Sequence, residues 1–199
     1  MSTPEYTYTT VNGVEVLTRE VWYLDGQLHR IDEPAWRVWE VVDGQTVLTE
    51  EVWYLNNRPR RIDGPAWRVW EVVDGQEETV LIHEAWYLSG LRHRTDGPAY
   101  REWDVIDGYG VLALEGWYLN DQRHRIDGPA YRLWRVVSTY EGWYLKGVKI
   151  HPRILRQPVR AIERWWLFQQ KRRHQAIESS LWDSGMTVFP GFMGILREY

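Results

Sequence analysis

The sequence predicts a mainly β fold: an elongated antiparallel repeat sheet of consecutive hairpins, closed by a C-terminal α-helical cap and an apolar tail. Three observations carry this. A Trp-Tyr pair recurs at Trp22-Tyr23, Trp53-Tyr54, Trp86-Tyr87, Trp117-Tyr118 and Trp143-Tyr144, in steps of 31, 33, 31 and 26 residues. A second motif follows the first four pairs: RIDEPAW from Arg30, RIDGPAW from Arg61, RTDGPAY from Arg94 and RIDGPAY from Arg125. Gly and Pro recur too often for helices, and no stripe of 3.6-residue period survives in this part of the chain.

Each repeat reads as two strands. Val47 to Leu55 is rich in β-branched and aromatic residues and runs into Asn56-Asn57. The equivalent turns are Asp25-Gly26, Ser89-Gly90, Asn120-Asp121 and Lys146-Gly147. Ala66 to Val73 forms the second strand, closed by Asp74-Gly75. Asp-Gly between such runs signals a tight hairpin, because both residues tolerate the positive φ it needs. The Asp-Gly-Pro between the strands marks a corner, since proline fixes φ and cannot donate to a ladder. The half unit from Val11 matches the stretch from Val42, so the array holds about four full units with partial ends over residues 1–149. One unit cannot bury its own aromatic face; stacked units can.

Period-two alternation places Glu51, Trp53 and Leu55 on one face and Val52 and Tyr54 on the other. Glu20, Glu51, Glu84, Glu115 and Glu141 each stand two residues before the repeat Trp. Cross-strand pairing with Arg37, Arg68, Arg101 and Arg132 is the expected use of these carboxylates. Asp32, Asp63, Asp96 and Asp127 follow the corner arginines by two residues and are expected to pair with them and to hold the turn. His29, His93 and His124 precede those arginines, with Arg60 in the same place of the second unit. An acid–base site is one asymmetric constellation, so a motif copied every 31 residues reads as structural. Trp22, Trp53, Trp86, Trp117 and Trp143 are the structural aromatic positions of the repeat.

The pattern W-Y-L-x-(G/N)-x-x-(H/R)-R-x-D-G-P-A resembles the variant MORN-type repeats of bacterial and large-DNA-virus proteins, over roughly residues 11–150. The resemblance implies a twisted sheet of successive hairpins serving as scaffold, adaptor or lipid-proximal module. The units here are longer than usual MORN units.

The remainder of the chain, 150–199, differs. Residues 1–145 carry 14 Lys+Arg against 24 Asp+Glu, whereas residues 146–199 carry 10 against 4. Pro158 suits a first helical turn, and a basic amphipathic helix is expected over 158–181. Arg160, Arg164, Lys171, Arg172 and Arg173 give it a basic face for a protein partner, an acidic surface or an anionic membrane. Phe189, Phe192, Met193, Ile195 and Leu196 form an apolar tail expected to fold back or enter a neighbouring subunit.

Composition narrows the function classes. The 199 residues include 14 tryptophans and 12 tyrosines, an aromatic content incompatible with disorder as the main state. Cysteine is absent, so there is no thiolate metal site and no thiol nucleophile. No signal peptide is visible, and an intracellular or virion location is expected. No phosphate-loop, nucleophile-elbow or zinc-protease motif occurs. The expectation is a non-enzymatic scaffold working by protein–protein contacts in a larger assembly, as a minor structural (virion or capsid) component of a large DNA virus, with no cofactor, metal, small-molecule substrate or nucleic-acid partner expected. A membrane- or lipid-associated adaptor and a glycan- or choline-binding aromatic module are the alternatives.

Overall fold

The computed structural model describes residues 2–73, 79–135 and 138–153. The chain divides into two units after Ile150, and the first carries the whole array. Its strands are β1 (Thr3–Val11), β2 (Val14–Leu24), β3 (Gln27–Leu28), β4 (Trp36–Val42), β5 (Gln45–Val52), β6 (Tyr54–Leu55), β7 (Arg58–Pro59), β8 (Trp67–Glu71), β9 (Val80–Ala85) and β10 (Tyr87–Leu88). They continue as β11 (Leu91–Arg92), β12 (Tyr100–Ile106), β13 (Tyr109–Gly116), β14 (Tyr118–Leu119), β15 (Gln122–Arg123), β16 (Tyr131–Arg135), β17 (Ser138–Gly142), β18 (Tyr144–Leu145) and β19 (Val148–Lys149). There is no helix among these elements beyond a single short turn near His151.

The long strands form one antiparallel meander in the order β1-β2-β4-β5-β8-β9-β12-β13-β16-β17. Two kinds of connection alternate along it. On one rim sit two-residue turns, Asn12-Gly13, Asp43-Gly44 and Asp107-Gly108, with φ positive at both residues (51 and 82, 49 and 83, 51 and 80°). That is the geometry whose twist matches a hairpin, and Asn-Gly and Asp-Gly reach it at least cost. The Asp74-Gly75 turn lies outside the described residues. On the other rim the chain first makes a short hairpin and then the Asp-Gly-Pro corner. The short hairpins are β3 against the end of β2, then β6 with β7, β10 with β11, β14 with β15 and β18 with β19. Their tips, from Asp25-Gly26 to Lys146-Gly147, again take positive φ.

The unit therefore has four strands rather than the two read from the sequence. The strand expected over Val47–Leu55 is interrupted at Trp53, and that expected over Ala66–Val73 is the shorter Trp67–Glu71. The reason lies in the Trp backbone. Trp53 N–H donates to the Ala66 carbonyl (2.7 Å), while the Trp53 carbonyl accepts from Arg60 N–H (2.9 Å). Its two backbone groups serve different segments, so the ladder to the next long strand stops there; Trp22 bonds in the same way, but β1 pairs along its other side and β2 runs on to Leu24. Trp22, Trp86 and Trp117 donate to Ala35, Ala99 and Ala130 in the same way, at 2.8, 2.8 and 2.7 Å.

The short hairpins bond to one another as well. Asn57, Gly90, Asp121 and Gly147 N–H groups donate to the carbonyls of Leu28, Pro59, Arg92 and Arg123 at 2.9–3.0 Å. Successive units are thus joined twice, through the long strands and through this second ladder. Pro59 fits because its position contributes a carbonyl to the next unit.

A β-bulge, which no sequence feature announces, recurs along the array. Register shifts leave Thr18, Thr49, Ile82 and Ala113 as the extra residue of four successive hairpins. Thr18 and Thr49 hydroxyls donate to the carbonyls of Thr7 and Val38 (3.2 and 3.4 Å). Bulges increase the local right-handed twist, so their repetition distributes twist evenly along the array.

Burial is thin. Ala35, Ala66, Ala85, Ala99 and Ala130 are wholly buried, and the largest fully buried side chain among the described residues is Val21. Packing occurs within rows that cross the sheet. In one row large and small alternate in direct register: Val21, Trp36, Val52, Trp67, Ala85, Tyr100, Gly116, Tyr131 and Gly142. Glycine closes the series because the Tyr118 and Tyr144 rings lie over it. A Cβ on Gly116 would meet Tyr118 Cε2 at 2.6 Å, and one on Gly142 would meet Tyr144 Cε2 at 2.7 Å. Gly116→Ala is therefore expected to lower stability by about 1–3 kcal/mol through overpacking, read as the shift of the urea midpoint at unchanged slope.

Candidate functional site

The chemistry-bearing side chains collect at the corners. Each corner arginine lies flat on the Trp that opens its unit: Arg30 over Trp22, Arg61 over Trp53, Arg94 over Trp86 and Arg125 over Trp117, with Cζ 4.2, 4.1, 4.0 and 3.8 Å from the ring centroids. Cation–π contacts at this distance strengthen as water is excluded. The guanidinium Nε then donates to Asp63, Asp96 and Asp127 at 2.8 Å in each case. These arginines hold the three carboxyls below the ordinary aspartate range, chiefly by the hydrogen bond. The glycine of Asp-Gly-Pro is explained by space. A Cβ on Gly97 or Gly128 would sit 2.8 or 2.9 Å from the guanidinium carbon of Arg94 or Arg125. The first corner has Glu33 at that place, and there Arg30 pairs with Glu33. Asp32 forms no ion pair among the described residues, so the expected Arg–Asp pairing is replaced at that corner.

A second set crosses the sheet. Glu20, Arg37, Glu51, Arg68, Glu84, Arg101, Glu115, Arg132 and Glu141 are direct cross-strand neighbours in that order. Arg37, Arg68, Arg101 and Arg132 donate to Glu20, Glu51, Glu84 and Glu115 at 2.9, 3.0, 2.8 and 3.2 Å. Arg132 also reaches Glu141 at 3.2 Å. Glu20, Glu84 and Glu115 are buried. The corner arginines approach the same carboxylates from above, Arg30 to Glu20 at 3.5 Å and Arg125 to Glu115 at 3.8 Å. The Trp22 indole donates to Glu20 at 2.9 Å, whereas the Trp53 and Trp117 indole nitrogens are buried without a partner among the described residues.

The histidines join units. His29 Nδ1 lies 2.6 Å from Asn56 Oδ1, and His93 Nδ1 lies 2.7 Å from Asn120 Oδ1. His124 Nδ1 accepts from Lys146 N–H at 3.1 Å. Each bond runs to the hairpin tip of the following unit.

The opposite face holds a cluster that sequence reasoning missed. Glu50 accepts from the indoles of both Trp36 and Trp67, at 3.0 and 2.9 Å. His83 is buried between the Trp67 ring (4.2 Å) and the edge of Tyr100 (4.9 Å), and its Nε2 has no partner among the described residues. Burial pulls its pKa below the ordinary histidine value, opposed by nearby Glu102. Glu102 in turn accepts from the Tyr100 hydroxyl. The available signal was positional: Glu50, His83 and Glu102 occupy one row once the register is known.

Between successive corners lie three grooves of like construction, about 420, 330 and 380 Å³. Among the described residues no group of His, Asp and Glu can hold a metal ion. Arg160, Arg164, Lys171, Arg172 and Arg173, the expected helix over 158–181 and the apolar tail with Phe189, Phe192, Met193, Ile195 and Leu196 lie outside the described residues.

No protein-family model matches the chain, and no curated protein or solved structure matches it.

Two measurements check this geometry. In a double-mutant cycle of Arg61→Ala and Trp53→Leu, the coupling energy is expected at about 0.5–2 kcal/mol, diminishing little with salt because the pair is shielded. For His83, a folded pKa below 6.5 means that the unfolded chain binds the proton more readily. Stability is therefore expected to fall as pH drops from about 7.5 toward 5, and His83→Gln is expected to flatten that slope in urea titrations.

Proposed function

We propose that this chain is a non-catalytic repeat scaffold that acts through protein–protein contacts. The observation that supports the reading is that the arginines, the glutamates facing them across the sheet and the histidines of the repeat motif are engaged with one another or with hairpin tips. Corner arginines are stacked on tryptophan and bonded to carboxylates; sheet arginines are bonded to buried glutamates; three histidines bond hairpin tips. Acyl transfer, proton abstraction and phosphoryl transfer each need a nucleophile or base converging with an electrostatic stabiliser on one reacting atom. Copies of one corner spread along a sheet edge do not converge.

The hairpin sheet is compatible with a MORN-like repeat fold, and the repeat motifs carry that finer assignment. The proposed setting, a minor structural component of a large DNA virus, rests on the same resemblance. An adaptor on an anionic membrane is the second reading. It is favoured by the excess of eight Lys+Arg over one Glu across residues 149–174. A choline or glycan cage at the repeat tryptophans is disfavoured, because an arginine already covers the ring face that such a ligand would use.

The test is assembly. The full chain is expected to enter a stable complex with protein partners in its native source, identified by cross-linking and mass spectrometry, and deletion of residues 186–199 is expected to weaken that complex. Unchanged assembly of the deletion variant overturns the proposal. Salt-sensitive flotation with anionic liposomes, abolished by Arg172→Glu with Arg173→Glu, would establish the membrane reading in its place.

A further inference from the structure

The three inter-corner grooves repeat one design. The first is walled by Ile31-Asp32 and Ile62-Asp63 and floored by Trp53 and Leu55. The second has Trp86 and Leu88 beneath Ile62-Asp63 and Thr95-Asp96. The third has Trp117 and Leu119 beneath Thr95-Asp96 and Ile126-Asp127. Each volume lies at the small end of the roughly 300–1,000 Å³ range of ligand pockets, so each groove accepts a side chain rather than a whole ligand. The walls are apolar and open to water: Ile31, Ile62 and Ile126 are 74, 86 and 58% exposed. An isolated exposed isoleucine is ordinary, but the same corner position exposed in three of four units is a stripe. Aspartate carboxylates stand outermost at the mouths, with exposed Arg60 also lining the first groove. The Asp63, Asp96 and Asp127 side chains are 77, 77 and 72% exposed, whereas their arginine partners are only 16–21% exposed beneath them.

The spacing of the grooves selects the partner's backbone. The corners lie between two hydrogen-bonded ladders, and each unit adds two strand intervals to both. At about 4.7–4.9 Å per interval the corners recur every 9.4–9.8 Å or so. A polyproline-II segment presents the same face every three residues, about 9.3 Å. An α-helix repeats a face every seven residues, about 10.5 Å, and drifts by roughly 1.4–2.2 Å over the two intervals between three grooves. An extended strand turns residues i and i+3 to opposite sides.

We infer that the corner rim docks a polyproline-II segment of a protein partner that carries one apolar and one basic side chain per three residues. The apolar side chain enters a Trp-floored groove, and the basic one meets the aspartate at its mouth. Aromatic-lined grooves suit this backbone because its conformation is largely fixed before binding. Three grooves engaged by one segment add avidity to individually weak contacts.

The inference rests on the scaffold reading and is tested apart from it. The probe is a fluorescent peptide of five Arg-Pro-Leu triplets, titrated against the full chain and followed by anisotropy. The controls are an Arg-Pro-Leu-Gly repeat of equal length and a helical peptide with Arg and Leu at seven-residue spacing. The triplet peptide is expected to bind at least about tenfold more tightly than either control, and more weakly as salt rises. Ile31→Ser with Ile62→Ser and Ile126→Ser is expected to cost about tenfold in affinity with an unchanged thermal melt, since the three side chains face water. Equal binding of the controls, full binding by the triple variant, or no binding of the triplet peptide overturns the inference. If native partners are still captured through residues 186–199, the scaffold reading survives that failure.

Discussion

Among the described residues the array is a single sheet with its short hairpins, and it finds its burial among its own neighbours. That burial is set by register. When each strand is aligned so that glutamate faces arginine, large side chains fall opposite small ones in the adjacent row, and the corner arginines fall over the tryptophans. The glutamate–arginine row cannot slip by one residue without exchanging its faces. A slip would carry buried Glu84 and Glu115 away from their arginines. Removing one partner of a buried ion pair costs about 3–5 kcal/mol, whereas the pair itself adds little net stability. Its main contribution here is to make the wrong alignments expensive.

The corner supplies the second fixed point. Trp53 ends the long strand because its N–H and C=O bond different segments, and its ring then becomes the platform for Arg61. Arg61 is held by the ring below and Asp63 beside it, which brings its guanidinium within 3.3 Å of where a Cβ on Gly64 would stand. One motif thus specifies a chain reversal, a cation–π stack and a close backbone approach. The first unit shows how far the motif can vary. Glu33 in place of glycine takes over the arginine, and the corner keeps its Ala35 bond. Likewise Arg60 replaces histidine without breaking the second ladder, since the Gly90 N–H still reaches Pro59. Variation stays local because each unit touches only its neighbours.

Much of this was legible in the residues. The steps between Trp-Tyr pairs set the unit, the Asp-Gly and Asn-Gly pairs marked the tight turns, and alternation put the glutamates opposite the arginines. The strand break at Trp53 was not legible, since Val-Trp-Tyr-Leu has uniformly high β propensity and only backbone partners distinguish it. The bulge was hidden because its extra residue is threonine in the first two hairpins but Ile82 and Ala113 in the next two; what all four share is an extra place in the strand. The Glu50–His83–Glu102 row was hidden for a related reason. Its members differ from unit to unit, so they looked like drift until the register aligned them. In the same way Gly116 and Gly142 look like weak strand residues until the rings of Tyr118 and Tyr144 are placed over them.

Periodicity also limits what the surface can be for. Catalysis gathers different groups within about 3 Å of one reacting atom, and small displacements cost large factors in rate. An array that repeats one corner about every 10 Å does the reverse, presenting like groups at intervals far longer than any bond that reacts. On the proposed reading, such a surface would discriminate by length and spacing. A partner with a matching period gains with each added contact, while one with the right chemistry and the wrong period engages a single groove. Rigidity is needed for that discrimination, and the double ladder provides it: the rim cannot stretch without breaking hydrogen bonds in both the long strands and the short hairpins. The features that stabilise this sheet are therefore the same features that would let its edge measure a partner.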